Sequence, residues 1–212
     1  MKPRILLADD HPIVAEGLRS LLEPEFDLVG IVEDGRALLD AAEKLRPDVI
    51  IADISMPLLN GIEAVRRIKE TNRDVKVVFL TMHPDVTYAI SALEAGALGY
   101  VLKHSAPAEL IRAVRAALGG KTFVTPLLAG EIMQSPSKGV YERREESSHL
   151  TKRQREVLQL LAEGYLAKEI ASMLNISTRT VEYHKYQIMK DVGLKTAADL
   201  IRYAVKHNIV SE

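Results

Sequence analysis

The sequence has no cysteine and no tryptophan, and only 5% of its 212 residues are aromatic. Without cysteine the chain can form no disulfide, no thiolate metal site and no thiol nucleophile. No apolar run approaches the ~20 residues that span a bilayer, and the N-terminal run Ile5-Leu6-Leu7-Ala8 is too short for the apolar core of a signal peptide. These absences predict a cytoplasmic protein.

The remaining composition is that of a globular protein, with 47% hydrophobic and 27% charged residues. Because domains cluster around ~100 to 150 residues, this length favours two domains. The net charge of -1 conceals an asymmetry: residues 1–149 carry 18 Lys and Arg against 22 Asp and Glu, whereas residues 150–212 carry 10 against 7. A basic C-terminal part permits binding to nucleic acid without requiring it.

Short apolar runs alternate with helical periodicity through the N-terminal part of the chain. The runs cover residues 4–8, 26–32, 49–52, 75–80 and 98–102, and an amphipathic helix follows each of them. Five strands that alternate with five helices predict a doubly wound α/β domain, with a flavodoxin-like five-stranded parallel sheet and helices on both faces. We assign this domain to residues 1–125.

The periodicity changes after this domain. Residues 126–148 read as a linker that contains a short helix from about Leu127 to Met133 and then a Pro-, Gly- and charge-rich segment. Residues 149–212 show helical spacing throughout, with Thr151 and Gln154 forming a capping box and Asn175-Ile176-Ser177 forming a turn between two helices. This pattern predicts a small all-α domain of four helices that includes a helix-turn-helix.

Acidic residues follow two of the predicted strands. Asp53 directly follows the apolar run Val49-Ile50-Ile51-Ala52, and on this stretch alone the cap of a turn is the better explanation. The carboxyl ends of strands meet in one crevice of an open α/β sheet, which groups Asp53 with Asp9, Asp10, Thr81 and Lys103. Three adjacent carboxylates repel one another unless a cation neutralises them, and oxygen ligands suit Mg²⁺.

A cation of this kind commonly binds a phosphoryl oxygen as well, which makes Asp53 a candidate nucleophile toward phosphorus. The product would be an aspartyl phosphate. Lys103 would offset its charge, and the Thr81 hydroxyl would donate a hydrogen bond to it. Each residue alone is commonplace at a strand end, but their joint placement at the ends of separate strands favours a site.

These residues resemble the receiver domain of bacterial two-component response regulators. The similarity covers roughly residues 3 to 120, and its motifs are Asp9-Asp10, Asp53 with Met56-Pro57 and Asn60-Gly61, Thr81, and Gly99-Tyr100 with Lys103. The resemblance implies that a sensor histidine kinase phosphorylates Asp53. It also implies that Asp10, Asp53 and the Ser55 backbone carbonyl bind Mg²⁺, with Asp9 acting through water.

The resemblance further implies a switch that starts at the pocket. Thr81 moves toward the phosphoryl group and Tyr100 follows it inward, which alters the surface formed by the fourth helix, fifth strand and fifth helix. Ser55 and His83 stand at positions that influence how fast the phosphoryl group is lost in such receivers.

The predicted third helix of the C-terminal domain, residues 178–192, has two distinct faces at 100° per residue. Val181, His184, Ile188 and Val192 share the inner face. The outer face carries Arg179, Tyr183, Tyr186 and Lys190, with Glu182 at its edge. These side chains suit contacts with phosphates and base edges, although an ordinary solvated face is the alternative.

Three segments resemble the LuxR/NarL-type DNA-binding domain over residues 150 to 210, namely 150–158, 168–171 and 180–184. The resemblance implies that double-stranded DNA is bound by the outer face together with Lys168 and Thr180. It also implies that the last helix forms a homodimer contact, which we assign to Leu200, Ile201, Ala204 and Val205. Several members of that family carry Lys where this chain has Glu182 and Tyr186, which leaves the base preference open.

The whole chain therefore resembles a NarL-type response regulator, a transcription factor that phosphorylation switches. Two alternatives come from other classes. A Mg²⁺-dependent phosphohydrolase would use the same acidic pocket, but such enzymes usually need an Asp-x-Asp motif and a cap domain. A receiver that works without phosphate is the other alternative, and the intact set of Asp9, Asp10, Thr81 and Lys103 argues against it.

Overall fold

The computed structural model describes residues 1–82, 84–134, 150–207 and 209–210. The chain divides into two compact units, Met1–Ser135 and Pro136–Glu212. Of the features predicted from the sequence, His83 and the linker residues 135–148 lie outside the described ranges.

The first unit is built around a parallel sheet of six strands in the order β2-β1-β3-β4-β5-β6. The strands are β1 Arg4–Ala8, β2 Asp27–Val32, β3 Val49–Asp53, β4 Lys76–Thr81, β5 Gly99–Leu102 and β6 Phe123–Val124. The helices are α1 Pro12–Leu22, α2 Gly35–Leu45, α3 Gly61–Thr71, α4 Val86–Glu94, α5 Ala106–Leu118 and α6 Pro126–Gln134, and a short 3₁₀ helix covers Lys103–Ser105.

Successive residues of the central strands face opposite sides of the sheet, and both sides are covered. Ile50 and Ala52 belong to a core shared with α2, α3, α4 and α6. Val49 and Ile51 belong to a second core shared with α1 and α5. A strand that is buried on both faces must be apolar at every position, which explains the uninterrupted run before Asp53.

The doubly wound parallel architecture is confirmed, but the predicted number of five strands is wrong. A sixth strand, β6, pairs in parallel with β5 through Gly99↔Phe123 and Tyr100↔Val124. A strand of two residues is too short to show an alternating pattern in the sequence. The helix α6, which follows β6, buries Leu128 in the core on the α4 side.

Within residues 150–207 and 209–210, the described part of the second unit, there are four helices, as predicted: α7 Lys152–Ala162, α8 Ala167–Leu174, α9 Thr178–Val192 and α10 Ala197–Lys206. The expected capping box is present, because the Gln154 N–H donates to the Thr151 hydroxyl and the Thr151 N–H donates to the Gln154 side chain. Asn175, with φ of 52°, ends α8 in the left-handed conformation and thereby turns the chain toward α9.

Membrane crossing requires a helix that is both long and apolar, and none of the helices in the described ranges meets that requirement.

The loop between β3 and α3 depends on a close backbone contact. The Gly61 N–H donates to the carbonyl of Ile54 at 2.8 Å. A Cβ atom added at Gly61 would lie 2.0 Å from the carbonyl oxygen of Asp53. Glycine is therefore required at position 61 so that α3 can begin directly beside the end of β3.

We expect Gly61→Ala to destabilise the first unit by about 1–3 kcal/mol, because the added methyl group overlaps backbone that cannot move aside freely. Gly17→Ala is the matched control: position 17 lies inside α1 with no atom near the added Cβ. That change should stabilise the helix by about 0.5–1 kcal/mol. Calorimetry of the full chain measures both shifts, and equal melting temperatures for Gly61→Ala and wild type would contradict the steric argument.

Candidate functional site

The strand register brings the predicted pocket residues to one edge of the sheet. Asp53 ends β3 beside Leu80 of β4, and Thr81 ends β4 beside Leu102 of β5. Asp9 follows the last residue of β1, and Lys103 follows the last residue of β5. Asp9, Asp53, Thr81 and Lys103 thus come from four adjacent strands, as the predicted topology requires. Together with Asp10 they form what we call the acidic pocket.

Lys103 joins two of the carboxylates. Its Nζ lies 2.6 Å from Asp53 Oδ2 and 2.8 Å from Asp9 Oδ2. All three side chains are nearly inaccessible to solvent, so water screens their charges only weakly. Loss of one partner would leave a buried charge uncompensated, which is costly. Burial alone would lower the pKa of the Lys103 ammonium, but the charges and hydrogen bonds of Asp53 and Asp9 hold that pKa above its usual value.

The direction of the shift in the Lys103 pKa determines how the stabilisation by its ion pairs depends on pH. A raised pKa in the folded state means that the stabilisation is complete below the pKa of unfolded lysine. The stabilisation is lost only as the pH rises through the higher value of the folded state. The bridge is therefore intact at neutral pH.

Asp10 has a different partner, His11, which the sequence reasoning missed. His11 Nδ1 lies 2.8 Å from Asp10 Oδ1 and 3.4 Å from Asp9 Oδ1, and the His11 N–H donates to Asp9 Oδ1 at 3.0 Å. The only available signal was its position directly after the acidic pair, since His11 belongs to no periodic pattern.

The donor set of the pocket fits a divalent cation. Ligand atoms of Asp9, Asp10, His11 and Asp53 all lie within 4.8 Å of one another. Asp9 Oδ2 and Asp10 Oδ1 are buried, and the basic atoms 2.8 Å from them are Lys103 Nζ and His11 Nδ1. Carboxylate oxygens are the ligands that Mg²⁺ prefers. The Ser55 N–H donates to Asp53 Oδ1 at 3.3 Å, and the role of the Ser55 carbonyl as a ligand stays a prediction.

The two predicted switch residues beside the pocket, Thr81 and Tyr100, are completely buried. Tyr100 lies in one core with Tyr88 of α4 and Leu128 of α6. Burial raises the pKa of the Tyr100 hydroxyl, and the nearby charges of Asp85, Tyr88 and Asp53 raise it further, so the group stays protonated. Tyr100 therefore faces a packed core that includes α6.

The outer face of α9 is exposed in the second unit, as the helical spacing predicted. Tyr183 and Tyr186 expose 59% and 62% of their surface, and both lie on the side opposite the buried Val181 and Ile188. The remaining exposed residues that the sequence assigned to DNA contacts are Lys168, Arg179, Glu182 and Lys190.

Two further residues of α9 differ in exposure from that face. Thr180 is only half-buried, and its hydroxyl lies 2.8 Å from the hydroxyl of Ser177, which caps α9. The expected DNA contact of Thr180 therefore competes with helix capping. His184 is half-buried on the inner side as expected, and burial followed by the charge of Arg153 lowers its pKa.

The predicted dimer contact on α10 stays a prediction, and its four residues differ in exposure. Leu200 is 2% exposed and Ala204 is fully buried, because both pack into the core of the second unit. Their side chains therefore offer little surface to a second copy. Ile201 is exposed at 44%, and Val205 is half-buried. Only Ile201 and part of Val205 are available from the predicted set.

Two family models match the chain. Residues 5–115 match the response regulator receiver domain, and residues 148–204 match the bacterial regulatory proteins of the luxR family. The chain is 36% identical to the transcriptional regulatory protein MctR of Rhizobium johnstonii, with 100% of this chain and 97% of MctR aligned. It is 37% identical to the oxygen regulatory protein NreC of Staphylococcus epidermidis, with 98% and 99% aligned.

Solved structures are similar over all or part of this chain. RcsB of Salmonella enterica serovar Typhimurium, bound to promoter P1flhDC in the presence of the phosphomimetic BeF3-, matches with a TM-score of 0.63 and 32% identity, covering 97% of this chain and 100% of that chain. A LuxR-family two-component response regulator from Aurantimonas matches with a TM-score of 0.61 and 39% identity, covering 63% of this chain and 97% of that one.

We expect Lys103→Gln to destabilise the first unit by about 3–5 kcal/mol without a divalent cation, because two buried carboxylates lose their shared positive partner. Mg²⁺ should then raise the melting temperature of this variant more than that of wild type, since the pocket is more negative. Lys121→Gln, which removes an exposed lysine, serves as the control. An equal response to Mg²⁺ in variant and wild type would contradict a cation site at these carboxylates.

Proposed function

We propose that this chain, which belongs to the two-component response regulators with a LuxR-family DNA-binding domain, is switched by transfer of a phosphoryl group to Asp53. The chain is a two-component transcription regulator. The observation that carries the proposal for Asp53 is the bridge of Lys103 Nζ to Asp53 and Asp9, since it joins a nucleophile and a fixed positive charge at one buried edge.

The proposed reaction is a displacement at phosphorus. A carboxylate oxygen of Asp53 attacks, a new oxygen–phosphorus bond forms, and the bond between phosphorus and the nitrogen of the donor histidine breaks. Lys103 moves from the carboxylate to the transferred group and offsets its charge, and the Thr81 hydroxyl donates to one phosphoryl oxygen. Mg²⁺ held by Asp10, Asp53 and the Ser55 carbonyl would supply charge neutralisation and orientation.

The two alternatives read from the sequence receive less support. The second unit matches a DNA-binding family instead of the cap domain that a phosphohydrolase needs, so we propose a phosphoacceptor with at most its own phosphotransfer and dephosphorylation chemistry. Because the pocket retains its acidic pair, nucleophile and lysine, we also favour control by phosphorylation over a phosphate-independent receiver. The partner is then a sensor histidine kinase, and a cytoplasmic location stays a prediction from the sequence.

The proposed DNA interface is the outer face of α9 with Lys168 at the start of α8. A helix-turn-helix places its second helix in the major groove, where Arg179 and Lys190 would contact phosphates and Tyr183, Tyr186 and Glu182 would face base edges or sugars. RcsB, the related regulator, is described as bound to promoter DNA. A homodimer would read two half-sites, and Ile201 is the exposed residue of α10 best placed for its contact.

Asp53→Ala should abolish formation of an acyl phosphate from acetyl phosphate in the presence of Mg²⁺, because the variant lacks the attacking oxygen. Phosphate-affinity electrophoresis before and after hydroxylamine treatment measures the product. Asp40→Ala removes an exposed aspartate of α2 and should leave labelling unchanged. Hydroxylamine-labile labelling that persists in Asp53→Ala would assign the acceptor to another residue.

Lys190→Gln should weaken DNA binding by a similar factor on every DNA sequence, because one phosphate contact is lost. The slope of log K against log salt concentration should decrease in magnitude by about 0.9. Lys206→Gln on α10 is the control and should leave the slope unchanged. Titrations of an operator fragment and an unrelated fragment at several salt concentrations measure both effects. A loss confined to one sequence would instead indicate that Lys190 reads a base.

A further inference from the structure

One residue, Thr125, joins the last strand of the sheet to α6. Its N–H donates to the carbonyl of Tyr100 at 2.9 Å, which continues the pairing of β5 with β6. Its carbonyl accepts from the N–H groups of Leu128 and Ala129 at 2.9 and 3.2 Å, which begins α6. Thr125 is only 2% exposed. The same buried residue therefore ends a strand and starts a helix.

The Thr125 hydroxyl replaces a missing backbone acceptor. In a parallel ladder a carbonyl of the neighbouring strand would accept from the Leu102 N–H, but the Thr125 carbonyl is committed to α6. The hydroxyl accepts from the Leu102 N–H instead, at 3.1 Å. Leu102 is fully buried, so loss of the hydroxyl would leave its N–H unpaired in the core.

Glu109 of α5 fixes the direction of this hydroxyl. Thr125 Oγ1 donates its hydrogen to Glu109 Oε2 at 2.7 Å. Because the hydrogen points at the carboxylate, a lone pair of the oxygen is left for the Leu102 N–H. Thr125, Glu109 and Leu102 form a connection that spans α5, β5 and the start of α6, and we call these three residues the Thr125 latch.

The hydrophobic core also includes residues of both α6 and β5. Leu128 is 1% exposed and lies in one core with Tyr100 of β5 and Tyr88, Ala89 and Ala92 of α4. Repositioning of the Tyr100 ring would therefore alter the core that buries Leu128. The helix is joined to β5 by the latch and shares a core with the expected switch tyrosine.

The strand that carries both contacts ends at the acidic pocket. Leu102 directly precedes Lys103, whose Nζ lies 2.6 Å from Asp53. When Asp53 carries a phosphoryl group, the charge that attracts Lys103 becomes larger and lies farther from the strand. We propose that Thr125 and Glu109 are positioning residues that transmit this change from Lys103 and Tyr100 through β5 to α6, the helix that precedes the segment leading to the DNA-binding domain. The proposal rests on phosphorylation of Asp53.

Hydrogen–deuterium exchange of α6 in the full chain tests the transmission. Amide exchange of residues 127–134 is measured with Mg²⁺ alone and with Mg²⁺ and acetyl phosphate, in wild type, Thr125→Val and Thr125→Ser. Valine keeps the shape of threonine and removes the hydroxyl, whereas serine keeps the hydroxyl. Phosphate-affinity electrophoresis of the same samples reports the extent of phosphorylation.

Allosteric coupling between two sites typically changes an equilibrium constant about 5- to 150-fold. We expect a change within that range in the exchange of α6 when wild type and Thr125→Ser are phosphorylated, and no change in Thr125→Val phosphorylated to the same extent. An unaltered response of α6 in Thr125→Val, or the absence of a response in phosphorylated wild type, would overturn the transmission. Failure of wild type to become phosphorylated would instead overturn the proposed function, so the two failures are distinguishable.

A second variant keeps the test decisive if Thr125→Val does not fold. Glu109→Ala removes the acceptor that orients the hydroxyl, and position 109 is half-buried at the start of α5, where alanine suits the helix. Its α6 response to phosphorylation should be smaller than that of wild type. Glu43→Ala, an exposed change on α2, is the control and should respond as wild type does. A full response in Glu109→Ala would contradict the latch.

Discussion

The structure of the first unit depends on one electrostatic constraint. A parallel sheet directs the carboxyl ends of its strands to a single edge, and this chain places three aspartates there. Carboxylates so close together, two of them nearly inaccessible to solvent, repel unless positive charge is held among them. Lys103 provides that charge from the end of β5, and its Nζ contacts Asp53 and Asp9 at 2.6 and 2.8 Å. The position of β5 is thereby linked to the charge state of the pocket.

That constraint explains why a change of charge at Asp53 can alter the structure at a distance from the pocket. β5 lies between β4 and β6, Lys103 follows its last residue in the pocket, and Tyr100 of β5 lies in the core on the α4 side. A change in the partner of Lys103 alters a strand that is paired with β4 on one side and β6 on the other. The cost of leaving buried hydrogen-bonding groups unpaired keeps these neighbours together.

The sequence predicted those features that topology and periodicity determine. Asp53, Thr81 and Lys103 were assigned to one edge because alternating strands and helices leave few arrangements of the sheet. β6 was missed because two residues carry no period. His11 was missed because only its neighbours, and no pattern, indicate its contact with Asp10.

The assignment of a dimer contact to α10 shows a different limit of the sequence. Leu200 and Ala204 are four residues apart and mark an apolar stripe, and the sequence could not distinguish a stripe that packs in its own domain from one that contacts a second copy. The structure shows that this stripe packs internally, while Ile201 lies beside it and is exposed. The sequence also did not indicate the burial of Leu128 in α6, since its neighbours in the core come from distant parts of the chain.

Because Thr125 both ends the pairing of the last strand and begins α6, it limits where the receiver of such a regulator can be separated from the rest of the chain. A receiver excised at residue 125, where the alternation of strands and helices ends, would keep every strand but lose the helix that places Leu128 in one core with Tyr100 and Tyr88. The apolar surface exposed in this way would favour aggregation, and the helix to which β5 is joined would be missing. A chimera that exchanges receiver domains between members of this family should therefore be joined after Gln134. The strand, the latch and the helix then come from the same protein.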